Sequence, residues 1–211
     1  LVKLLGSMAG ELVYSGGLFF VHAGGAAASS LALDEDDLIG TVTTHPKVAR
    51  RELFNAVKPV FVKQDKDWQP GDGPVVTAQA YQSQDGGTEI VQRLDLPFTI
   101  TSSMAQRLAH VALERMRQQI ACEITVRQAG LQLRAWDTVT LTYATNGWSS
   151  KKFRVIGWRL NPDASVTLTL REEADAVWDW SAADETAEDP APDTDLPDPR
   201  DVPGPGALVF V

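Results

Sequence analysis

The stretch SSMAQRLAHVALERMRQQIAC, residues 102–122, decides how the rest of the chain is read. Leu108, Val111, Ala112, Met116 and Ile120 recur at spacings of three and four, which places them on one stripe of an α-helix. Arg107, His110, Glu114, Arg117 and Gln118 fall on or beside the opposite face. Ser103 and Gln106 have the spacing of a capping box, and Arg115 and Arg117 sit in the last turns, where cations suit the helix dipole. The spacing predicts one long amphipathic helix over about 102–121.

Immediately afterwards the period changes from 3.6 to 2. Cys122, Ile124 and Val126 alternate with Glu123, Thr125 and Arg127, with Leu131 and Leu133 continuing the pattern past Gly130. Val139, Leu141 and Tyr143 alternate with threonines, Asn146-Gly147 supplies a reversal, and Phe153, Val155 and Trp158 return. A turn at Asn161-Pro162-Asp163 leads into Val166, Leu168 and Leu170. Short links between strands favour antiparallel neighbours. The fold class expected is therefore mainly β, a β-rich α+β domain: an antiparallel barrel or meander fed by one long helix.

Upstream, residues 1–9 read as the end of a helix, and Glu11 to His22 as a hairpin closed by Ser15-Gly16-Gly17. A strand end passing into an acid-capped helical turn accounts for Asp34 to Asp37, which lack the alternating ligand positions of a calcium loop. Thr41 to His45 is a short strand stopped by Pro46, and a longer strand surrounds Val57 to Val62. Residues 65–74 are turn-rich, with Trp68 as their expected anchor; residues 75–84 and 88–101 read as extended. Pro97 marks an edge or a break.

Charge is unevenly placed. Of 28 acidic and 19 basic residues, 12 acids and a single base, Arg200, lie between Glu172 and Asp201. The remainder holds 16 acids and 18 bases and is nearly neutral, so no concentrated basic footprint for nucleic acid exists. From Ser181 the acid-, alanine- and proline-rich composition reads as an extended spacer. Trp178 and Trp180, just before it, are expected to pack on the barrel face. Residues 12–33 carry no formal charge, but their glycines and serines make the stretch too weakly apolar for a membrane span, and Glu11 argues against a signal peptide. The chain is expected to be soluble and, lacking an initial Met, a piece of a longer protein.

Candidate chemistry is sparse. The single cysteine, Cys122, reads as a small buried hydrophobe. His22, His45 and His110 show no metal-ligand spacing, and no nucleophile elbow, phosphate loop or dinucleotide fingerprint is present. No catalytic, cofactor-binding or metal-binding residue is assigned, and no enzymatic activity is expected. Trp68, Trp136, Trp148 and Trp158 are either packed aromatics or a sugar-binding platform.

Longer strings carry a resemblance. RRELFNAVKPVFV (50–62), DWQPGDGPVV (67–76), QSQDGGTEIVQRLDLPFT (82–99), AQRLAHVALERMRQQI (105–120), residues 133–180 and EDPAPDTDLPDP (188–199) together resemble the tail-tip host-specificity protein J family of lambda-like siphophages. Where that family has a Gly before the Asp that opens the threonine-rich strand, this chain has Trp136-Asp137, which affects the local turn. The resemblance implies a baseplate-hub region that self-associates as a trimeric ring around the tail axis. It implies contacts with other tail-tip and tail-tube proteins, and with a host receptor through regions beyond this sequence. Neither specific nucleic-acid binding nor membrane insertion is expected. The implied location is the virion tail tip, with host cytoplasm during assembly. The implied organisation is residues 1–30 completing an upstream hub subdomain, 31–180 as the β-rich hub domain, 181–205 as an acidic Pro-rich linker, and 206–211 as the start of a fibronectin-like module. A receptor- or carbohydrate-binding module using exposed aromatics is the alternative.

Overall fold

The computed structural model describes residues 1–188. It contains three sheets and one long helix. A short helix α1 (Val2–Gly6) leads into the hairpin β1 (Glu11–Ser15) and β2 (Leu18–His22). The hairpin closes through Gly16 (φ 59°) and Gly17 (φ 83°), the paired positive φ angles that a tight two-residue reversal requires.

The main sheet has six strands in the order β3 (Leu31–Leu33), β10 (Thr138–Tyr143), β11 (Trp148–Leu160), β12 (Val166–Glu172), β9 (Ala121–Val126) and β4 (Thr43–His45). All neighbours are antiparallel except β3, which runs parallel to β10. Alternation puts Cys122, Ile124, Val126, Val139, Leu141, Phe153, Val155, Val166, Leu168 and Leu170 on one buried face, as the period of two predicts. Each such aliphatic side chain contributes about 1.5–3 kcal/mol by leaving water. Trp158 joins this face only because of a bulge: the register shifts between Val155 and Gly157, so Ile156 turns out to solvent and Trp158 lies opposite Leu168.

The sheet is curled but is not a closed barrel. Its edge strands β3 and β4 form no ladder with one another among the described residues. Curvature nevertheless brings the tip of the β10–β11 hairpin to the far edge, where Asn146 Nδ2 donates to Thr44 Oγ1 at 3.1 Å. Leu131 and Leu133 do not extend β9. Residues Gln128–Gln132 form a 3-10 turn, leaving Leu131 exposed and Leu133 buried. The turn is fixed where Gly130 presses so close that an added Cβ would sit 2.4 Å from Val126 Cγ2, and its carbonyl accepts the Trp158 indole N–H at 3.0 Å.

Between β4 and β9 the chain builds a second layer. Strand β5 (Ala56–Lys63) pairs antiparallel with β6 (Gln69–Asp72) and β7 (Val76–Thr77), and parallel with β8 (Val91–Leu96). Strand β8 has β5 as its only ladder partner among the described residues and stops at Leu96, before Pro97, in keeping with the proline's preference for edges. Residues Gln79–Gln84, expected to be extended, form the helix α2 instead. Tertiary contact overrides the pattern there, since Tyr81 Oη donates to Glu114 Oε2 at 2.7 Å and so fastens α2 to the long helix. Trp68 is no anchor: Asp67 (φ 51°) and Trp68 (φ 62°) turn outward ahead of β6, and Trp68 is 60% exposed.

The long helix α3 spans Ser102–Arg117, shorter than the expected reach to residue 121. It ends because the chain is captured by the main sheet. The Ile120 N–H donates to Glu172 Oε2 and the Ile120 carbonyl accepts the Glu172 N–H at 2.7 Å. The expected capping box is also absent: Thr101 is the N-cap without a side-chain bond, and Gln106 bonds Ser102 Oγ and the Thr186 backbone. The buried face is centred on Ala105, Leu108, Ala109 and Leu113, which pack on Val57, Phe61 and Leu96. Small alanines let the helix lie close to its sheet, while Ala112 and Met116 are only half-buried.

Candidate functional site

The polar face of α3 is where functional groups gather, and most of it is covered. After β12 the chain does not leave as a spacer at residue 181. It runs back along α3 as a strap through residue 188. Glu173 and Trp178 lie by Arg115, the Trp180 ring stands 5.6 Å from the ring of His110, and Gln106 exchanges two hydrogen bonds of 2.9 Å with the backbone of Thr186. Glu188 pairs with the buried Lys63. The expected packing of Trp178 and Trp180 is therefore on helix and strap as much as on the sheet. The linker and module readings for residues 189–211 lie outside the described residues.

Two clusters of side chains and one cleft flank α3. At the C-terminal end of α3, Arg117 Nη2 donates to Asp85 Oδ2 at 2.5 Å and to the Phe54 carbonyl at 2.8 Å, and Asn55 Nδ2 donates to the same carboxylate. Both partners are buried. Hydrogen bonding to Arg117 holds the Asp85 carboxyl below the usual carboxylate range. The Arg117 guanidinium stacks 4.7 Å from the Tyr81 ring; burial and the bond to Glu114 push the Tyr81 phenol up to about 12.

The second group is an arginine–tryptophan clasp between α3, the strap and the main sheet. Arg154 of β11 donates from Nε to Glu173 Oε2 at 2.9 Å, and Trp178 Nε1 donates to Glu173 Oε1 at 2.7 Å. Arg115 lies 4.6 Å from the Trp178 ring centroid and Arg154 lies 5.1 Å from that of Trp136, both cation–π distances. Glu172 and Glu173, counted with an acidic tail by composition, thus belong to the folded core's ion-pair network.

Third is a cleft of about 690 Å³ between α3, β7 and the strap, lined by His110, Glu114, Asp179, Ser181 and Asp184 among others. It brings acid, hydroxyl and imidazole together; Ser181, Asp184 and Glu114 are committed to structure, while His110 Nε2 is buried without a partner among the described residues. Ser181 and Asp184 form the capping box of the turn Ala182–Asp184, which keeps the Asp184 carboxyl below its ordinary range, and Glu114 accepts from Tyr81. No hydrogen bond joins His110 to Ser181 or Asp184 among the described residues.

The remaining residues singled out by sequence are scattered. His22 lies in the hairpin, His45 in β4 and His110 on α3, and no group of three or more His, Cys, Asp or Glu side chains suited to a metal is found among the described residues. Asp34 caps the turn Glu35–Asp37, as the acid run predicts. Cys122 is buried, and burial pushes its thiol up to about 12. Of the four tryptophans considered as a sugar platform, Trp148 and Trp158 pack on the main core and Trp136 lies in the clasp, leaving Trp68 open. The clasp is invisible in sequence because its members are separated by up to 63 residues, from Arg115 to Trp178. Elsewhere the outer face of the β1–β2 hairpin exposes Tyr14, Phe19 and Val21. Among the described residues no helix is long and apolar enough to cross a membrane.

Comparison with known proteins then bears on the chain as a whole. The family described as "Putative phage tail protein" matches residues 1–158. No curated protein sequence matches. Among solved structures, a chain of the virion of a native gene transfer agent particle is similar in fold, with a TM-score of 0.67 at 15% identity over 89% of this chain and 40% of that one. The prophage MuSo2 43 kDa tail protein from Shewanella oneidensis (TM-score 0.49, 12% identity, 83% of this chain and 52% of that one) and the prophage tail protein gp18 from Listeria monocytogenes EGD-e (0.48, 10%, 82% and 51%) also match. The chain spans about half or less of the length of each of these structures.

Proposed function

Given that the chain belongs to this family of phage tail proteins, we propose that it is a structural element of the tail tip: part of the baseplate hub, repeated as a trimeric ring around the tail axis. In this role it links the tail to the receptor-binding region and carries no catalytic step. The observation that carries the reading is the family match, which extends over residues 1–158 and so includes the second layer, α3 and most of the main sheet. The resemblance to the host-specificity protein J family supplies the finer assignment to the tip.

The physical character of the fold supports a load-carrying role. One buried ion pair ties α3 to the second layer, another ties β11 to the start of the strap, and the strap runs along α3, which suits a rigid structural part. Its partners would be further copies of itself, tail-tube and tail-tip proteins, and a host receptor reached through other regions of a longer polypeptide. The test is genetic. Deleting the gene in a host that produces the particles should abolish complete tails, with restoration by the gene in trans; intact infectious tails without it would overturn the proposal.

A further inference from the structure

The clasp contains a cavity that the structural role does not use. Arg154 is 5% exposed, yet its Nη2 has no acceptor among the described residues, its Nε and Nη1 being taken by Glu173 and by the Trp136 carbonyl at 3.3 Å. Trp136 Nε1 is also buried without an acceptor. Leaving one buried donor unmade costs about 1–3 kcal/mol, more for a charged group. Both side chains line a cavity of about 250 Å³ between α3 and the main sheet, and both also line a neighbouring one of about 190 Å³ with His22 and Thr138.

Charge and backbone point the same way. Arg115, Arg154 and Arg171 line the cavity with Glu172 and Glu173. Glu172 is engaged by Lys151 and the Ile120 N–H, and Glu173 by Arg154 and Trp178. Neither Arg115 nor Arg171 has a carboxylate at ion-pair distance among the described residues. Three guanidiniums therefore share two carboxylates that are already occupied. Trp136 itself is held at φ 75°, a backbone region costly for a bulky residue, and local strain of this kind concentrates at binding sites.

We propose that this cavity is a carboxylate-binding site, with Arg154 Nη2 and Trp136 Nε1 as its hydrogen-bond donors and Arg115 as the second cation. A planar group with two acceptor oxygens can take bonds from both a guanidinium and an indole N–H that line one cavity. The volume suits a small organic acid or an Asp or Glu side chain of an adjoining polypeptide.

The test uses the ¹⁵N-labelled 211-residue chain. It is titrated at constant ionic strength with acetate, with succinate and with the peptide acetyl-Ala-Glu-Ala-amide, against chloride, phosphate and the Gln peptide. The Trp136 indole resonance is identified by its loss in Trp136→Phe. A saturable shift of that resonance and of Arg154 Nε–H with the carboxylates is expected. Tighter binding of the Glu peptide assigns the site to a protein side chain; equal or tighter binding of the free acids assigns it to a small molecule. Trp136→Phe, which keeps a ring for the cation–π contacts, should weaken binding about five-fold or more, followed at Arg154 Nε–H. Arg171→Gln, at an exposed position, should weaken it too. No saturable shift, or an equal one with chloride or phosphate, overturns the proposal and leaves the tail role untouched.

Discussion

Asp85→Asn is the sharpest test of how α3 is fastened to the second layer. The substitution keeps the size of the side chain and removes one charge, leaving Arg117 buried with 6% side-chain exposure and no anion against it. Removing one partner of a buried pair costs about 3–5 kcal/mol, because the survivor stays desolvated. For a chain of this size each kcal/mol lowers the melting temperature by about 2–4 °C, so a drop of about 6–20 °C is expected by calorimetry at pH 7. The pH dependence has a definite sign. Arg117 depresses the Asp85 carboxyl in the folded state, so its stabilisation is present above the ordinary Asp range near 4 and is lost as pH falls through the lower folded value. The gap between wild type and Asp85→Asn should therefore narrow as pH falls below the ordinary Asp range. Asp85→Leu combined with Arg117→Met should recover only part of the loss, since Asn55 and the Phe54 carbonyl each lose a partner. Equal melting of wild type and Asp85→Asn at pH 7, or a gap that persists undiminished at low pH, would refute the reasoning.

Other perturbations probe other joints. Gly130→Ala drives a methyl group to 2.4 Å from Val126 Cγ2 and 2.9 Å from Val166 Cβ, so a loss of about 1–3 kcal/mol should appear in a denaturant titration. Cys122, its thiol raised to about 12 by burial, should react with a thiol reagent at pH 8 only as fast as the protein unfolds. Gln106→Ala removes both bonds to Thr186, so amide exchange at residues 181–188 should accelerate while global stability falls by only about 1–2 kcal/mol. Unchanged exchange in that segment would mean that the strap is held by other contacts.

Local periodicity made the strands of the main sheet legible. Val166, Leu168 and Leu170 face the core because alternation leaves no other choice once one face is buried. The acid-capped turn at Asp34 and the Gly-Gly hairpin were readable for the same reason, since their determinants lie within a few residues. What sequence misjudged was decided by distant partners. Residues 79–84 became helical where Tyr81 reaches Glu114, α3 stopped where Glu172 captures Ile120, and Gln106 left its cap for Thr186. The strap was hidden because its composition reads as spacer, while its docking depends on single matches such as Glu188 with Lys63. Among the candidate sites, the clasp could not be anticipated: Arg115, Trp136, Arg154 and Trp178 meet only through tertiary packing.

The central claim, that this chain works as a repeated wall element at the end of a tail, is tested most directly by electron cryomicroscopy of purified tails carrying a tag on this chain. The six-stranded sheet with α3 and its strap should fit density at the tip, in three copies around the axis. Tails whose tip holds no density for this fold, or particles lacking the tagged chain altogether, would contradict it.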